Sequence, residues 1–151
     1  MLSQRAKYAL RAMIGLAARG KDVPVSVASL ARDADIPKPF LEQIFSDLRR
    51  HNLVVSRRGN RGGFVLARPA KEISFADIIR HIDGPLALAP CASRTAYRPC
   101  PECDDVETCE LRPALIAARD AVASVLERTT LSAAARCHPR RSAKRKKPPI
   151  G

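Results

Sequence analysis

Three short helical patterns, followed at once by two apolar stretches around a glycine-rich turn, constrain the fold of this chain most tightly. Apolar residues recur at helical spacing in residues 3–19, 26–35 and 37–51. Residues 53–67 predict two short strands joined by a turn that holds three glycines and an arginine. A single hairpin is not stable by itself, so it must pack against the helices. This order predicts a helix-turn-helix head with a wing over residues 1–70.

The rest of the chain predicts four further segments, and the whole is predicted to be mainly α with one small β-hairpin. Residues 71–84 form a connecting helix that a Gly-Pro pair closes. Residues 85–109 hold four prolines and four cysteines without periodicity, which indicates a long cofactor loop. Residues 110–132 form a long dimerisation helix. Residues 133–151 form a disordered basic tail, because they are too charged to fold.

The predicted long helix carries an apolar seam. Apolar residues alternate there at spacings of four and three, as in a coiled coil, and they are Leu111, Leu115, Ala118, Val122, Val125 and Thr129. So small a domain offers this seam no partner of its own. We therefore expect a second copy of the chain to cover it, which makes the protein a homodimer.

The charge of the chain is unevenly distributed. Of the net charge of +12 over 151 residues, residues 1–68 contribute +8, residues 69–135 contribute −3 and residues 136–151 contribute +7. A basic head and tail predict a polyanion as partner. No apolar run approaches the roughly 20 residues of a membrane-spanning helix. We expect a cytoplasmic protein without a membrane partner, whose five cysteines serve metal or redox chemistry rather than a disulfide framework.

Two groups of residues are candidates for contact with double-stranded DNA. The second helix of a helix-turn-helix presents its N-terminal part to base edges, which here offers Lys38, Glu42 and Gln43. Glutamate accepts a hydrogen bond from the cytosine amine, and glutamine pairs with adenine. An ordinary solvated helix face is the alternative interpretation of these residues. The wing favours the DNA interpretation, because its cations suit phosphates or the minor groove, and they are Arg57, Arg58 and Arg61.

The predicted loop contains the candidate metal ligands Cys91, Cys100, Cys103 and Cys109. Thiolates at these spacings suit zinc or an iron-sulfur cluster, and the composition does not choose between them. Four acids and no cation lie between the second and the last of these cysteines, which disfavours free thiolates. Cys109 precedes the long helix, whose N-terminal dipole favours an anionic ligand. A structural zinc site and a metal-free loop stay open as alternatives.

The order of these elements resembles the winged helix-turn-helix regulators that include IscR, NsrR and RirA. The resemblance extends over residues 2–131. It rests on the pieces KYALR at 7–11, FLEQIF at 40–45, LRR at 48–50, RG at 58–59, GGF at 62–64, RP at 68–69, EIS at 72–74, IDGPL at 82–86 and TL at 130–131. Each piece is short, and their order along 130 residues is specific.

The resemblance implies a homodimeric transcription factor. It assigns base reading to Glu42 and the wing contact to Arg58. This chain departs from the family pattern with prolines at 37 and 39, where serines are usual, and with Arg61, where glycine is usual. The operator is therefore expected to differ from those of relatives.

The resemblance also implies an iron-sulfur cluster held by the loop. Relatives use three cysteines, the last two separated by five residues, which corresponds to Cys103 and Cys109 here, with either Cys91 or Cys100 as the first. The extra cysteine leaves two assignments: three cysteines with an outside ligand, or all four. Arg112 stands where some relatives have a histidine ligand, so four cysteines are the simplest complete set for a 2Fe-2S or 4Fe-4S cluster.

The predicted function is that of a homodimeric repressor that binds operator DNA and senses iron-sulfur status, oxygen, nitric oxide or redox state through the cluster. The alternative is a cofactor-free or zinc-stapled repressor whose cysteines form a thiol redox switch. The chain is predicted not to be an enzyme and to have no small-molecule substrate. It shows no glycine-rich nucleotide loop, no metalloprotease helix motif and no cysteine-histidine pair in a recognisable context.

Overall fold

The computed structural model describes residues 2–59, 62–101, 103 and 105–137. It contains six α-helices, two 3₁₀ turns and one hairpin within those residues. In chain order these are α1 Gln4–Ala18, α2 Val27–Ala34, α3 Lys38–Arg50, β1 Val54–Arg57, β2 Gly63–Leu66, a 3₁₀ turn Ala70–Glu72, α4 Phe75–Ile82, a 3₁₀ turn Pro90–Ala92, α5 Arg112–Arg128 and α6 Leu131–Cys137. The prediction of a mainly α fold with a small hairpin is confirmed.

Serine caps begin three of the helices. The Oγ atoms of Ser3 and Ser26 each accept a hydrogen bond from the amide three residues later, at 3.0 and 3.1 Å. Ser74 and Asp77 form a reciprocal capping box at the start of α4. Asp35 ends α2 in the left-handed conformation at φ 54°. Local chemistry therefore fixes the limits of the first helices.

The helix-turn-helix is held together by one apolar core. α1 contributes Met13 and Leu16, which are almost completely buried. One face of α3 is fully buried against them, and its residues are Leu41, Ile44, Phe45 and Leu48. Because these residues recur at helical spacing, the opposite face of α3 is left to solvent.

The hairpin is antiparallel, with Val54 opposite Leu66 and Arg57 opposite Gly63. Phe64 exchanges two backbone hydrogen bonds with Val25, at 2.9 and 3.0 Å, which ties the hairpin to the segment before α2. A Cβ atom at Gly63 would collide with the carbonyl group of Val25, so this close approach requires glycine. The hairpin therefore packs on the helices, as its small size demands.

The C-terminal part differs from the prediction in two ways. The helix predicted over residues 110–132 ends at Arg128, because Thr129 leaves the helix and Thr130 forms a bridge with Ser74. Leu131 then donates from its amide to the carbonyl of Ile73 and is completely buried. Residues 133–137, predicted to be disordered, continue α6, which packs on α1.

Alanine explains this second difference. α6 contains three alanines, which favour a helix strongly and bring α6 close to α1. The remaining residues of the predicted tail, 138–151, lie outside the described residues. Within the described residues, the chain from 85 to 109 is irregular apart from the 3₁₀ turn. No helix in the described residues is long and apolar enough to cross a membrane.

Candidate nucleic-acid interface and cysteine loop

The N-terminal end of α3 presents three predicted DNA contacts on one exposed face. Pro37 precedes the helix and Pro39 lies in its first turn, where a missing amide donor costs nothing. The buried face opposite anchors the helix in the core. The three residues that the sequence singles out, Lys38, Glu42 and Gln43, are all exposed, as are Pro39 and Phe40 beside them.

Lys38 and Glu42 form an ion pair across one helical turn. Their Nζ and Oε1 atoms are 3.4 Å apart, and the two side chains are 58% and 52% exposed. An exposed pair at this spacing contributes about 0.3–0.5 kcal/mol. The pair orients Glu42 in the free protein and costs little to separate. Either side chain is therefore available to a nucleic acid.

The wing is fixed to α3 at its base. The rings of Phe45 in α3 and Phe64 in β2 have centroids 5.0 Å apart at an angle of 63°. Arg57 ends β1 and is exposed, and Arg58 follows it, also exposed. Gly59 adopts φ +131°, which only glycine tolerates easily, and its carbonyl accepts from the amide of Gly62 at 2.8 Å. The predicted contact Arg61 lies outside the described residues.

Among the described residues of the head, some arginines are paired with a carboxylate and others are not. Asp47 pairs with Arg5 and, at 3.2 Å, with Arg50. By contrast, Arg57 and Arg58 have no carboxylate within 4.0 Å in the part of the chain that the structure describes. The wing is therefore a positive surface that suits phosphate oxygens.

Three of the four loop cysteines lie together. A side-chain hydrogen bond with Cys100, then desolvation and a hydrogen bond with Cys109, raise the pKa of the Cys103 thiol to about 11. The pKa of Cys109 is lowered, because the backbone amides of Arg112 and Leu111 donate to its sulfur at the start of α5. The expected effect of the helix N-terminus on Cys109 is thus present in the structure.

Cys91 is the first cysteine of the loop. It is buried in the 3₁₀ turn, and its carbonyl accepts from Nε of Arg112 at 3.3 Å. Cys137 is exposed at the end of α6. Over residues 2–59, 62–101, 103 and 105–137, no three His, Cys, Asp or Glu side chains are arranged to enclose a metal ion. The donor type of Cys100, Cys103 and Cys109 suits a cluster, and their arrangement in this conformation is not a closed ligand set.

Three residues of the predicted α5 seam are exposed to solvent, and the other three are half-buried. The helix has no buried residue. Leu111, Val122 and Val125 are 71%, 48% and 58% exposed, which is unusual for branched apolar side chains in a small domain. The other face of α5 lies against α4 and the 3₁₀ turn at Pro90.

The sequence reasoning overlooked the polar contacts that join α5 to the rest of the molecule. Arg119 has a side chain only 11% exposed, and it donates to the carbonyl of Ala92 and to Asp120. Arg80 of α4 pairs with Glu127 at 2.5 Å. Arginines at helical spacing look like solvated surface in a sequence. Only the opposing carboxylates, remote along the chain, reveal that these side chains line a contact.

Comparison with known proteins identifies several similar chains. The model of the Rrf2 family, described as an iron-dependent transcriptional regulator, matches residues 2–136. An rrf2-like HTH-type transcriptional regulator of Rhodobacter capsulatus is 41% identical over 115 residues, which cover 74% of this chain and 77% of that protein. The structure of CymR, the global cysteine regulator of B. subtilis, matches with a TM-score of 0.75 and 32% identity, covering 92% of this chain and 98% of that one. The structure of T. potens IscR matches with a TM-score of 0.70 and 27% identity, covering 95% and 93%.

Proposed function

Because the chain belongs to the Rrf2 family of transcriptional regulators, and is therefore a DNA-binding regulator rather than an enzyme, we propose that it is a homodimeric repressor. In this proposal α3 of each subunit enters the major groove and the wing contacts the adjacent backbone. The observation that carries the proposal is the exposed polar face at the start of α3 beside an uncompensated cationic wing.

The α5 seam supports the homodimer. An exposed apolar stripe with a seven-residue repeat is stabilised when an identical stripe covers it. The seam residues occupy the face of α5 that turns away from α4 and the loop. A two-fold dimer through this helix places two recognition helices on one side of a duplex, as operators with two half-sites require.

A DNA-binding assay on the wing tests this interface. We expect Arg58→Gln to weaken binding to every duplex and to reduce the salt dependence of log K by roughly one phosphate contact. Lys71→Gln removes the same charge from the 3₁₀ turn after the wing and serves as the matched control. If Arg58→Gln and the unmodified protein bind DNA with equal affinity across a salt series, the wing does not contact DNA through Arg58.

For the loop, we propose an iron-sulfur cluster held by cysteines. Cys103 forms side-chain hydrogen bonds with Cys100 and Cys109, and the lowered pKa of Cys109 favours the thiolate, the form that binds metal. Cys91 is the fourth candidate ligand. When bound, such a cluster supplies a redox-active, iron-dependent centre at the start of α5.

The loop is also connected to the dimerisation helix. Arg112, the first residue of α5, binds the carbonyl of Cys91, and Arg119 binds that of Ala92. An ordered loop therefore fixes the start of α5 relative to the head. A change in the loop then alters the spacing of the two recognition helices, which must match half-sites about one DNA turn apart.

Anaerobic purification with an absorbance spectrum tests the cluster. We expect a coloured protein that bleaches in air, and we expect Cys109→Ser to lose the colour while Cys137→Ser keeps it. A colourless protein loaded with zinc would support a structural site instead. Operator affinity of the loaded and metal-free forms at one salt concentration tests the sensing step, and equal affinities would contradict it.

A thiol switch is the second candidate for the loop. The observation that favours it is the adjacency of Cys103, a neutral thiol, and Cys109, a more acidic one. Attack by a thiolate on an oxidised neighbour forms a disulfide. Under this alternative, metal-free protein treated with peroxide shows a Cys103–Cys109 linkage by mass spectrometry and a changed operator affinity.

A further inference from the structure

A second site lies between α4, the loop that follows it and α5. Gly84, at φ +92°, and Pro85 turn the chain away at the end of α4, and the loop returns along α5. The space enclosed is about 420 Å³. This volume suits a small organic molecule, and it is not part of the DNA interface or of the cysteine cluster.

Arginine dominates the charge of this cleft. Four guanidinium groups and two carboxylates line it, so the lining carries an excess of two positive charges. The charged residues are Arg80, Arg94, Arg119, Arg128, Asp120 and Glu127. Elsewhere in residues 69–135 acids outnumber cations. The arginines of the cleft therefore cluster in the one segment of the chain that has a net negative charge. General attraction to DNA does not explain a cluster in that segment.

The arginines come from three separate elements. Arg80 of α4 pairs with Glu127 of α5 at 2.5 Å, and Arg94 of the loop pairs with Asp120 of α5 at 3.2 Å. Arg128 has no carboxylate within 4.0 Å among the described residues. A ligand that binds these groups would therefore connect α4, the loop and α5.

The pairs that cross the cleft are easily exchanged for a ligand. The side chain of Arg94 is 72% exposed and that of Asp120 is 43% exposed. Ion pairs with this exposure are screened by solvent and contribute little. Guanidinium groups bind carboxylate or phosphate oxygens through two parallel hydrogen bonds, which a single exposed carboxylate does not use fully.

The side chain of Arg119 is held in one orientation beside the more exposed arginines of the cleft. This side chain is mostly buried and is fixed by the carbonyl of Ala92 and by Asp120. Hydroxyl groups from Ser93, Thr95 and Ser124 add neutral hydrogen-bonding partners to the lining. A fixed arginine, three hydroxyl groups and more exposed arginines from two other elements together give the cleft the chemistry of an anion site.

We propose that this cleft binds a small dianion, with two carboxylates or one phosphate group, that cross-links α4 to α5. The α5 residues that line the cleft are different from the seam residues, so a dimer partner on the seam leaves the cleft accessible. Bound anion holds the loop and α5 against the head. Anion binding at this cleft would therefore alter the spacing of the two DNA-binding heads independently of the chemistry of the cysteines.

Calorimetric titration of the full chain at constant ionic strength tests the site directly. The probes are inorganic phosphate and succinate, with glycerol as the neutral comparison. We expect saturable binding of one molecule per chain for at least one anion and none for glycerol. Saturable binding of phosphate indicates that the site takes a phosphate group, and saturable binding of succinate indicates that it takes two carboxylates. Binding of both anions without saturation means general attraction to a chain of net charge +12 and overturns the proposal.

Variants then locate the binding. Arg119→Gln is expected to abolish it, and Arg94→Gln, an exposed position that the fold tolerates, is expected to weaken it by about tenfold. Arg32→Gln removes the same charge from α2, outside the cleft, and is expected to bind like the unmodified protein. If Arg94→Gln and Arg32→Gln bind the anion equally well, the cleft is not the site. This titration contains no DNA, so its outcome is independent of the proposed repressor function.

Discussion

At the scale of single residues, we propose that Glu42 reads a base. Its exposed pair with Lys38 leaves the carboxylate near the start of α3 without burying it. A carboxylate there accepts from a cytosine amine and repels phosphate, so it contributes to discrimination between sequences more than to affinity. Lys38 has the opposite effect, because a cation attracts every duplex.

Replacing the carboxylate should therefore separate specificity from affinity. For Glu42→Ala we expect discrimination at one base pair of each half-site to fall by about 1–3 kcal/mol. We also expect affinity for random duplex to stay equal or rise, because Lys38 is released from its pair. Competition binding with single-base operator variants measures both quantities. Glu72→Ala, in the 3₁₀ turn, is the control, and an unchanged base preference in Glu42→Ala would assign base reading to other residues.

Single residues also show where sequence reasoning succeeds and where it stops. Apolar spacing is a local signal, so the limits of α1, α2 and α3 follow from the sequence to within one residue. The connecting helix predicted over residues 71–84 is wrong in its limits: Ala70–Glu72 form a separate 3₁₀ turn, and the capping box at Ser74 begins the helix at Phe75. The break at Thr129 depends on a bridge to Ser74, which is remote in the chain. The contact between Nε of Arg112 and the carbonyl oxygen of Cys91, at 3.3 Å, has the same origin, because the two residues are 21 positions apart in the chain.

At the scale of elements, two histidines connect the recognition helix to α4. The rings of His51, at the end of α3, and His81, in α4, are stacked with centroids 4.2 Å apart. The pKa of His81 is lowered, first by burial and then by the positive charge of His51; Asp77 opposes the shift and Arg68 adds to it. Protonation of His81 therefore disfavours the packed arrangement of α3 and α4.

This contact gives the stability a pH dependence of known sign. The unfolded chain takes up a proton on His81 near the ordinary pKa of 6.5, before the folded chain does. The contribution of neutral His81 to the free energy of unfolding is therefore fully present above that pH, and it is lost as the pH falls below it. We expect the melting temperature to drop between about pH 7.5 and about pH 5.5, and to drop less in His81→Gln. Lys71→Gln should keep the full drop, and an equal drop in all three proteins would contradict the prediction.

At the scale of the whole molecule, the seam of α5 determines whether two heads act together. Leu111, Val122 and Val125 expose apolar surface that no element of the described chain covers. The opposite face of α5 is bound to α4 and the loop by ion pairs. In the proposed dimer, this one helix joins the second subunit, the cysteine loop and the head, so a change at any of the three reaches the other two.

A charge in the seam should dissociate the dimer. Val125→Glu places a carboxylate against its own copy in an apolar interface, a cost of several kcal/mol. We expect a folded monomer by sedimentation equilibrium, with operator affinity reduced by about a hundredfold or more because two half-sites no longer bind together. Ala117→Glu, at an exposed position of α5 outside the seam, should remain dimeric. A dimeric Val125→Glu would assign the subunit interface to another surface.

The central claim is that two cationic winged heads, joined through α5, read a two-part operator. Selection of bound duplexes from a random pool, at one fixed salt concentration, tests this claim most directly. The account predicts enrichment of a pseudo-palindromic sequence whose halves are centred about 10 base pairs, or one helical turn, apart. Enrichment of no sequence, or of a single half-site alone, would contradict it.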